Sequence, residues 1–284
     1  MSGMFSAWVV HTLRDYDIYD RVRAVYGTSA GSHAAAYFLS RQIETGASIY
    51  REELISGDFL KIKTWTYTKT WLKNIITWKK ITDAVINIDY LIEIERSKKV
   101  LDTEQIKNSG IDFYVRCVNT ETGEVVYLDW KQDTLRKLHA SSALIPFYPH
   151  SIEIDKVSYC DGSTTGVAID RELEKLIKHN PDTHIFLVFN NTQTFFNSCK
   201  QFILKLSWAI LWGIYLKKLY MFRMLRIEHE RKKLLKIKKY NNVHIIEPSN
   251  SFRFFTTQET TLTELYEHWK KVSYDTLVAV LSKK

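Results

Sequence analysis

A layered α/β fold, with a mainly parallel central sheet between two layers of helices, is predicted by three observations. Apolar, β-branched stretches alternate along the chain with stretches of helical periodicity. The run Ile185-Phe186-Leu187-Val188-Phe189 has no polar alternation, the pattern of a strand covered on both faces. The pentapeptide Gly27-Thr28-Ser29-Ala30-Gly31 stands between a strand-like and a helix-like stretch. No internal repeat and no Pro/Gly/Ser-rich linker interrupts the 284 residues, so one domain over 1–284 is expected.

The elements follow in order. Phe5, Trp8, Val9 and Leu13 fall at helical spacing and predict an amphipathic helix over 4–15. Val22 to Tyr26 reads as a strand, the alanine-rich Ser32 to Leu39 as a helix, and 49–55 as a short helix. Ile81 to Ile94 mixes helical and extended signals, and its type stays open. Ile111 to Val118, the turn Asn119 to Gly123 and Val125 to Leu128 form a β-hairpin. Asp133 to Leu144 reads as a helix stopped near Pro146 and Pro149. A strand over 156–160, a helix over 171–178, a strand over 184–189, a strand over 243–246 and a helix over 262–281 complete the chain.

Gly27 to Gly31 is a G-x-S-x-G, and its setting makes it a nucleophile elbow. A turn this tight leaves no room for side chains two residues before and after the serine, which accounts for Gly27 and Gly31. It presents the Ser29 hydroxyl above the sheet at a helix N-terminus, whose partial positive charge favours a developing anion. Thr28 and Ala30 complete the elbow.

A hydrophobic content of 45% and a charged content of 25% are those of an ordinary globular protein. Three cysteines (Cys117, Cys160 and Cys199) make an odd count without metal-ligand spacing, so a reducing, cytoplasmic compartment and no disulfide framework are expected. No signal-peptide pattern opens the chain. The net charge of +8 is local: twelve Lys or Arg against two Glu between Lys200 and Tyr240 give that segment +10 and leave −2 elsewhere.

A serine hydroxyl needs a base. Of the nine histidines, His33 lies one helical turn beyond Ser29 and points away from its hydroxyl. His139, His150, His184, His229, His244 and His268 have no supporting motif. Asp161-Gly162-Ser163, at the end of a strand, is the better candidate, because active sites of α/β folds collect at strand ends.

Its surroundings carry a resemblance. His139-Ala140-Ser141-Ser142-Ala143-Leu144-Ile145-Pro146-Phe147-Tyr148-Pro149, then Ile152 to Asp155, then Tyr159-Cys160-Asp161-Gly162 resembles the patatin-like phospholipases, where an A-S-S-A-x-P-x-F-x-P stretch leads into a D-G-[GA] motif. Tyr26 to Gly31 with Ala35, Ala36 and Tyr37 is similar to the patatin elbow. Ile88 to Leu91 and the hairpin around Glu121-Thr122-Gly123-Glu124 are similar as well. The resemblance implies an α/β/α sandwich of patatin type and a Ser–Asp dyad that hydrolyses lipid acyl esters. Ser29 is then the nucleophile and Asp161 the proton acceptor, with no metal and no cofactor.

The match departs in two places. Ser163 stands where the family has Gly or Ala, and the proline usual a few residues later is replaced around Ile169. The family's first strand and glycine-rich G-G-G-x-R-G oxyanion loop have as counterpart only Ser2, at the Arg position, and Gly3, at the last Gly. The expectation is that the natural start lies upstream of Met1.

The apolar, Trp-bearing Phe202 to Leu216 is short of the roughly 20 residues of a bilayer span and runs into the basic Arg223 to Lys239. Residues 202–239 thus suit peripheral contact with an anionic membrane, or a core helix with a solvated continuation. Lys61, Lys63, Trp65, Tyr67, Lys69, Trp71, Lys73, Trp78, Lys79 and Lys80 suit a second interfacial strip or a cap. No nucleic-acid motif accompanies these residues, and no nucleic-acid partner is expected. The reading is a lipid acyl hydrolase forming an acyl-enzyme. The alternative is a catalytically inactive patatin-like domain that binds lipid or protein.

Overall fold

The computed structural model describes residues 3–54, 58–60, 84, 86–145, 147–165, 171–190, 233, 236–248 and 259–282. Helix α1 (Gly3–Asp15) buries Phe5, Trp8 and Val9 as its periodicity predicts and leaves Leu13 half-buried, but its first half, Gly3 to Val9, is buried on every side. Arg14 in its last turn pairs with Asp15 and with Glu44, which suits a cation at the negative end of a helix. A 3-10 turn (Tyr19–Arg21) leads into β1 (Ala24–Gly27), and the elbow feeds α2 (Ala30–Leu39). α2 is buried from Ser32 to Leu39, because alanines let it lie close to its neighbours. A short helix α3 (Ile43–Ser48), which the sequence pattern did not reveal, precedes a π-helical turn (Ile49–Glu53) at the expected short helix.

The ambiguous stretch resolves into an isolated bridge, Leu60 to Ile86, and helix α4 (Ile88–Ser97). The Asn87 side chain caps α4 by accepting from the Tyr90 N–H. Helix α5 (Thr103–Asn108) is capped in the same way by Asp102 and was also not foreseen. Strands β2 (Asp112–Asn119) and β3 (Val125–Asp129) form the expected hairpin. Helix α6 (Thr134–Ser142) leads to a second hairpin of β4 (Ile152–Ile154) and β5 (Val157–Asp161). Its two-residue loop, Asp155 and Lys156, has φ of 51° and 65°, the left-handed pair that a type I′ turn requires. Beyond lie α7 (Arg171–His179), β6 (Ile185–Val188), β7 (Val243–Ile246) and α8 (Glu259–Leu281).

The fold is an α/β/α sandwich whose strands form a five-stranded mixed sheet (β1–β5) and a separate two-stranded sheet (β6–β7). In the first, β1–β2 is parallel and β2–β3, β2–β5 and β4–β5 are antiparallel; β6–β7 is parallel. Tyr114 and Val115 of β2 pair with both β1 and β3, and Cys117 and Val118 with both β3 and β5. β1 and β5 therefore share one edge of β2 and meet there end to end. Gly27 of β1 lies opposite Val115 and Asp161 of β5 opposite Cys117, with Arg116 between. The main core lies between this sheet and α2, α4 and α6, through Phe38, Ile92, Phe113, Val115 and Leu138. A second cluster joins Phe5 and Trp8 of α1 to Ile246 of β7 and Leu277 of α8.

Candidate active site

Ser29 stands between β1 and α2 with φ 53° and ψ −132°. For a non-glycine residue such backbone costs roughly 1–3 kcal/mol and persists only where its surroundings hold it. Here its N–H donates to Ser141 Oγ at 2.9 Å, and its carbonyl accepts from the Ser32 N–H at 2.8 Å and from Ser32 Oγ at 2.6 Å. Ser29 occupies the N-cap of α2, yet its hydroxyl makes no capping bond. Thr28 supports the turn by accepting the Gly31 N–H at 2.9 Å.

The two elbow glycines differ. A Cβ on Gly27 would collide with the backbone of Ser32, one turn into α2, so strand and helix approach too closely there for any side chain. A Cβ on Gly31 would meet nothing within 4 Å. The expectation that both must lack side chains thus holds at Gly27 and is corrected at Gly31, which the helix carries away from the strand. Gly3 is packed against Ala30 and Tyr50, which brings the residue matched to the oxyanion loop's last glycine against the elbow. Ser2 lies outside the described residues.

Asp161 ends β5, fully buried, and its N–H donates to the Ala143 carbonyl at 3.1 Å. Its Oδ1 accepts from the Ser163 N–H and from Ser163 Oγ, both at 2.7 Å. Ser163, the departure from the family's small residue, thus serves the carboxylate. Oδ2 is buried and makes no hydrogen bond of regular geometry. The Ser29 hydroxyl is nevertheless close enough to favour the charged carboxylate. Burial, the largest influence, pushes the Asp161 carboxyl above its ordinary value. The two Ser163 donors, the Ser29 hydroxyl and the Arg116 charge pull it back in part. A Cβ on Gly162 would strike the Arg116 carbonyl, so the glycine beside the aspartate is fixed by the close approach of β2.

Ser141, which holds the Ser29 N–H, donates in turn to the Arg116 carbonyl at 2.8 Å. In the sequence alone Ser141 has no role of its own beyond its place in the A-S-S-A stretch, and Arg116 has none within a β-rich run. An arginine inside an apolar strand pattern is the signal that could have marked it, since buried charges are rare unless partnered. His33 is buried, with Nδ1 at 2.7 Å from Glu95 and Nε2 at 2.8 Å from Ser142 Oγ. This Ser–His–Glu order copies a hydrolytic triad, but Ser142 is buried and the array joins α2, α4 and the end of α6.

His139 contacts Tyr148 and Asp89, and His184 contacts His244. Among the described residues no group of three or more His, Cys, Asp or Glu could hold a metal ion. A cavity of about 980 Å³ lined by Arg96, Trp130, Arg136 and His139 includes neither Ser29 nor Asp161.

The sequence profile of the family "Patatin-like phospholipase" matches residues 1–170, the stretch that holds both the elbow and Asp161-Gly162. The chain belongs to the patatin-like phospholipases. VipD from Legionella pneumophila is a structural neighbour at 12% identity and a TM-score of 0.48, over 99% of this chain. The chain spans 65% of the VipD chain. No curated protein matches in sequence. At the level of the family, the match supports a lipid hydrolase.

Among the described residues no helix is long and apolar enough to cross a membrane. The 61–80 strip and most of 202–239 lie outside the described residues. Of the basic run, Lys233 pairs with Glu174 at 2.9 Å and Lys238 with Glu247 at 3.9 Å, and Ile237 packs on Ile177 and Ile185.

Proposed function

We propose that the chain is a serine lipid acyl hydrolase in which Ser29 attacks the ester carbonyl and Asp161 takes its proton. The observation that carries this reading is the meeting of β1 and β5 on one edge of β2. It sets the strained Ser29 turn beside a buried aspartate with an uncommitted carboxylate oxygen. Attack by Ser29 Oγ on the carbonyl carbon gives a tetrahedral oxyanion. The Ala30 N–H, first of α2 and next after the nucleophile, is one donor to it, aided by the α2 dipole. Collapse expels the alcohol, which takes the proton from Asp161 and leaves an acyl-Ser29 ester. Water then attacks that ester, again with Asp161 as base, and frees the fatty acid and Ser29. The basic run within 202–239 supplies peripheral contact with anionic lipid from the cytoplasmic side.

The test is labelling by a fluorophosphonate, which reacts with an activated serine. The wild-type chain labels, Ser29→Ala abolishes labelling, and Asp161→Asn slows it on the order of 10³-fold or more. A folded wild-type chain that does not label would move the assignment to the inactive lipid-binding domain.

A further inference from the structure

We propose that Arg116 is the positioning residue of the Ser29–Asp161 pair, its backbone fixing the nucleophile turn and its guanidinium fixing the aspartate turn and supplying positive charge beside the carboxylate. This rests on the proposed Ser–Asp chemistry, but its geometry stands apart from any activity. Arg116 occupies the point of β2 at which β1 and β5 both end, on the same edge of the strand.

Its carbonyl accepts from Ser141 Oγ, which itself accepts the Ser29 N–H, so the strained turn is tied to β2 through one hydroxyl. The same carbonyl lies against Gly162, and the side chain Nη1 donates to the Gly162 carbonyl. One residue thus holds both halves of the dyad from a single peptide unit and its own side chain.

Arg116 is itself 2% exposed. Asp161 is 0% exposed, and a base must be ionised before it can accept a proton. Around it lie Cys117 directly across on β2, Cys160 before it on β5, the hydroxyls of Ser29 and Ser163, and Arg116. Burial pushes the Cys117 thiol up, so it stays neutral and adds no charge. Arg116 contributes positive charge to this set and favours the carboxylate form of Asp161.

The experiment follows the Asp161 carboxyl directly in the full chain, by NMR of ¹³C-labelled aspartate, with its signal identified by its loss in Asp161→Asn. Arg116→Met is expected to move the titration midpoint up by about 1 pH unit or more. Arg116→Lys, which keeps a charge, is expected to leave it near the wild-type position. Should Arg116→Met not fold, Arg116→Gln carries the comparison, because it keeps a donor for the Gly162 carbonyl while losing the charge. A midpoint that stays put in the folded neutral variant overturns the proposal. Fluorophosphonate labelling followed against pH on the same samples keeps the two ideas apart. If the wild type does not label while the midpoint still moves, the dyad chemistry fails and the role of Arg116 stands. If labelling falls equally at every pH without a shift of its acid limb, Arg116 is only structural.

Discussion

The glycines of the elbow show how a motif's residues divide between necessity and habit. At Gly27 any Cβ meets the backbone of Ser32, which cannot give way without parting β1 from α2. Gly27→Ala is therefore expected to destabilise the fold by about 1–3 kcal/mol and to lower labelling, read by denaturant unfolding and probe kinetics. Gly31 is a helical residue in open space, and Gly31→Ala should stabilise by about 0.5–1 kcal/mol through helix propensity.

Asp161 carries a second prediction. Its carboxyl in the fold lies above its ordinary 3.8, so the neutral form favours folding. That stabilisation is complete below about pH 3.8 and is lost as pH rises through the higher folded value. At neutral pH that stabilisation is lost in whole or in part, and Asp161→Asn, which cannot ionise, should melt higher than the wild type. The gain should vanish on acidification, which thermal melts at a series of pH values would reveal. An unchanged or lower melting point at neutral pH would contradict the burial argument.

Between elements, the His33 array is the clearest polar joint. His33 on α2 bridges Glu95 on α4 and Ser142 at the end of α6. The residues on either side of Ser142 serve the dyad: Ser141 binds the Ser29 N–H, and the Ala143 carbonyl accepts the Asp161 N–H. Removing the imidazole leaves Glu95 buried and uncompensated, so His33→Ala should cost about 3–5 kcal/mol. Ser142→Ala, which deletes one neutral partner, should cost about 1 kcal/mol. Equal effects of the two substitutions in denaturant unfolding would show that the His33–Glu95 pair is not the joint. The histidine next to the elbow motif could be set aside as the base from the sequence, but the partners it binds could not be read there. Its partners lie more than sixty residues away in sequence, and no periodicity encodes them.

Over the whole molecule, α1 is clamped between α2 and α8, and Trp8 packs edge-on against Tyr266 while Leu277 is fully buried. Of the basic excess of 200–240, only 233 and 236–240 lie among the described residues. Lys233 and Lys238 there are paired with glutamates. Co-sedimentation with vesicles rich in anionic lipid is expected to capture the chain, with capture falling as salt is raised from about 0.05 to 0.15 M. Equal capture by neutral vesicles would remove the electrostatic part of that proposal.

The fold class, most strands and helices, and the strand–turn–helix at 27–31 were legible in the sequence, because each rests on residues adjacent in the chain. Hydrophobic period sets an element's type, and a strand–turn–helix is written in consecutive positions. Short elements such as α3 and α5 escaped, since too few residues give no period, and Ile81 to Ile94 stayed ambiguous because it spans a bridge and a helix start. That β1 and β5 share an edge of β2, that Arg116 and Ser141 join the two catalytic candidates, and that Gly31 has room for a side chain emerge from the three-dimensional contacts alone. Register and close packing are fixed by contacts between distant segments, which leave no local trace in the residues that make them.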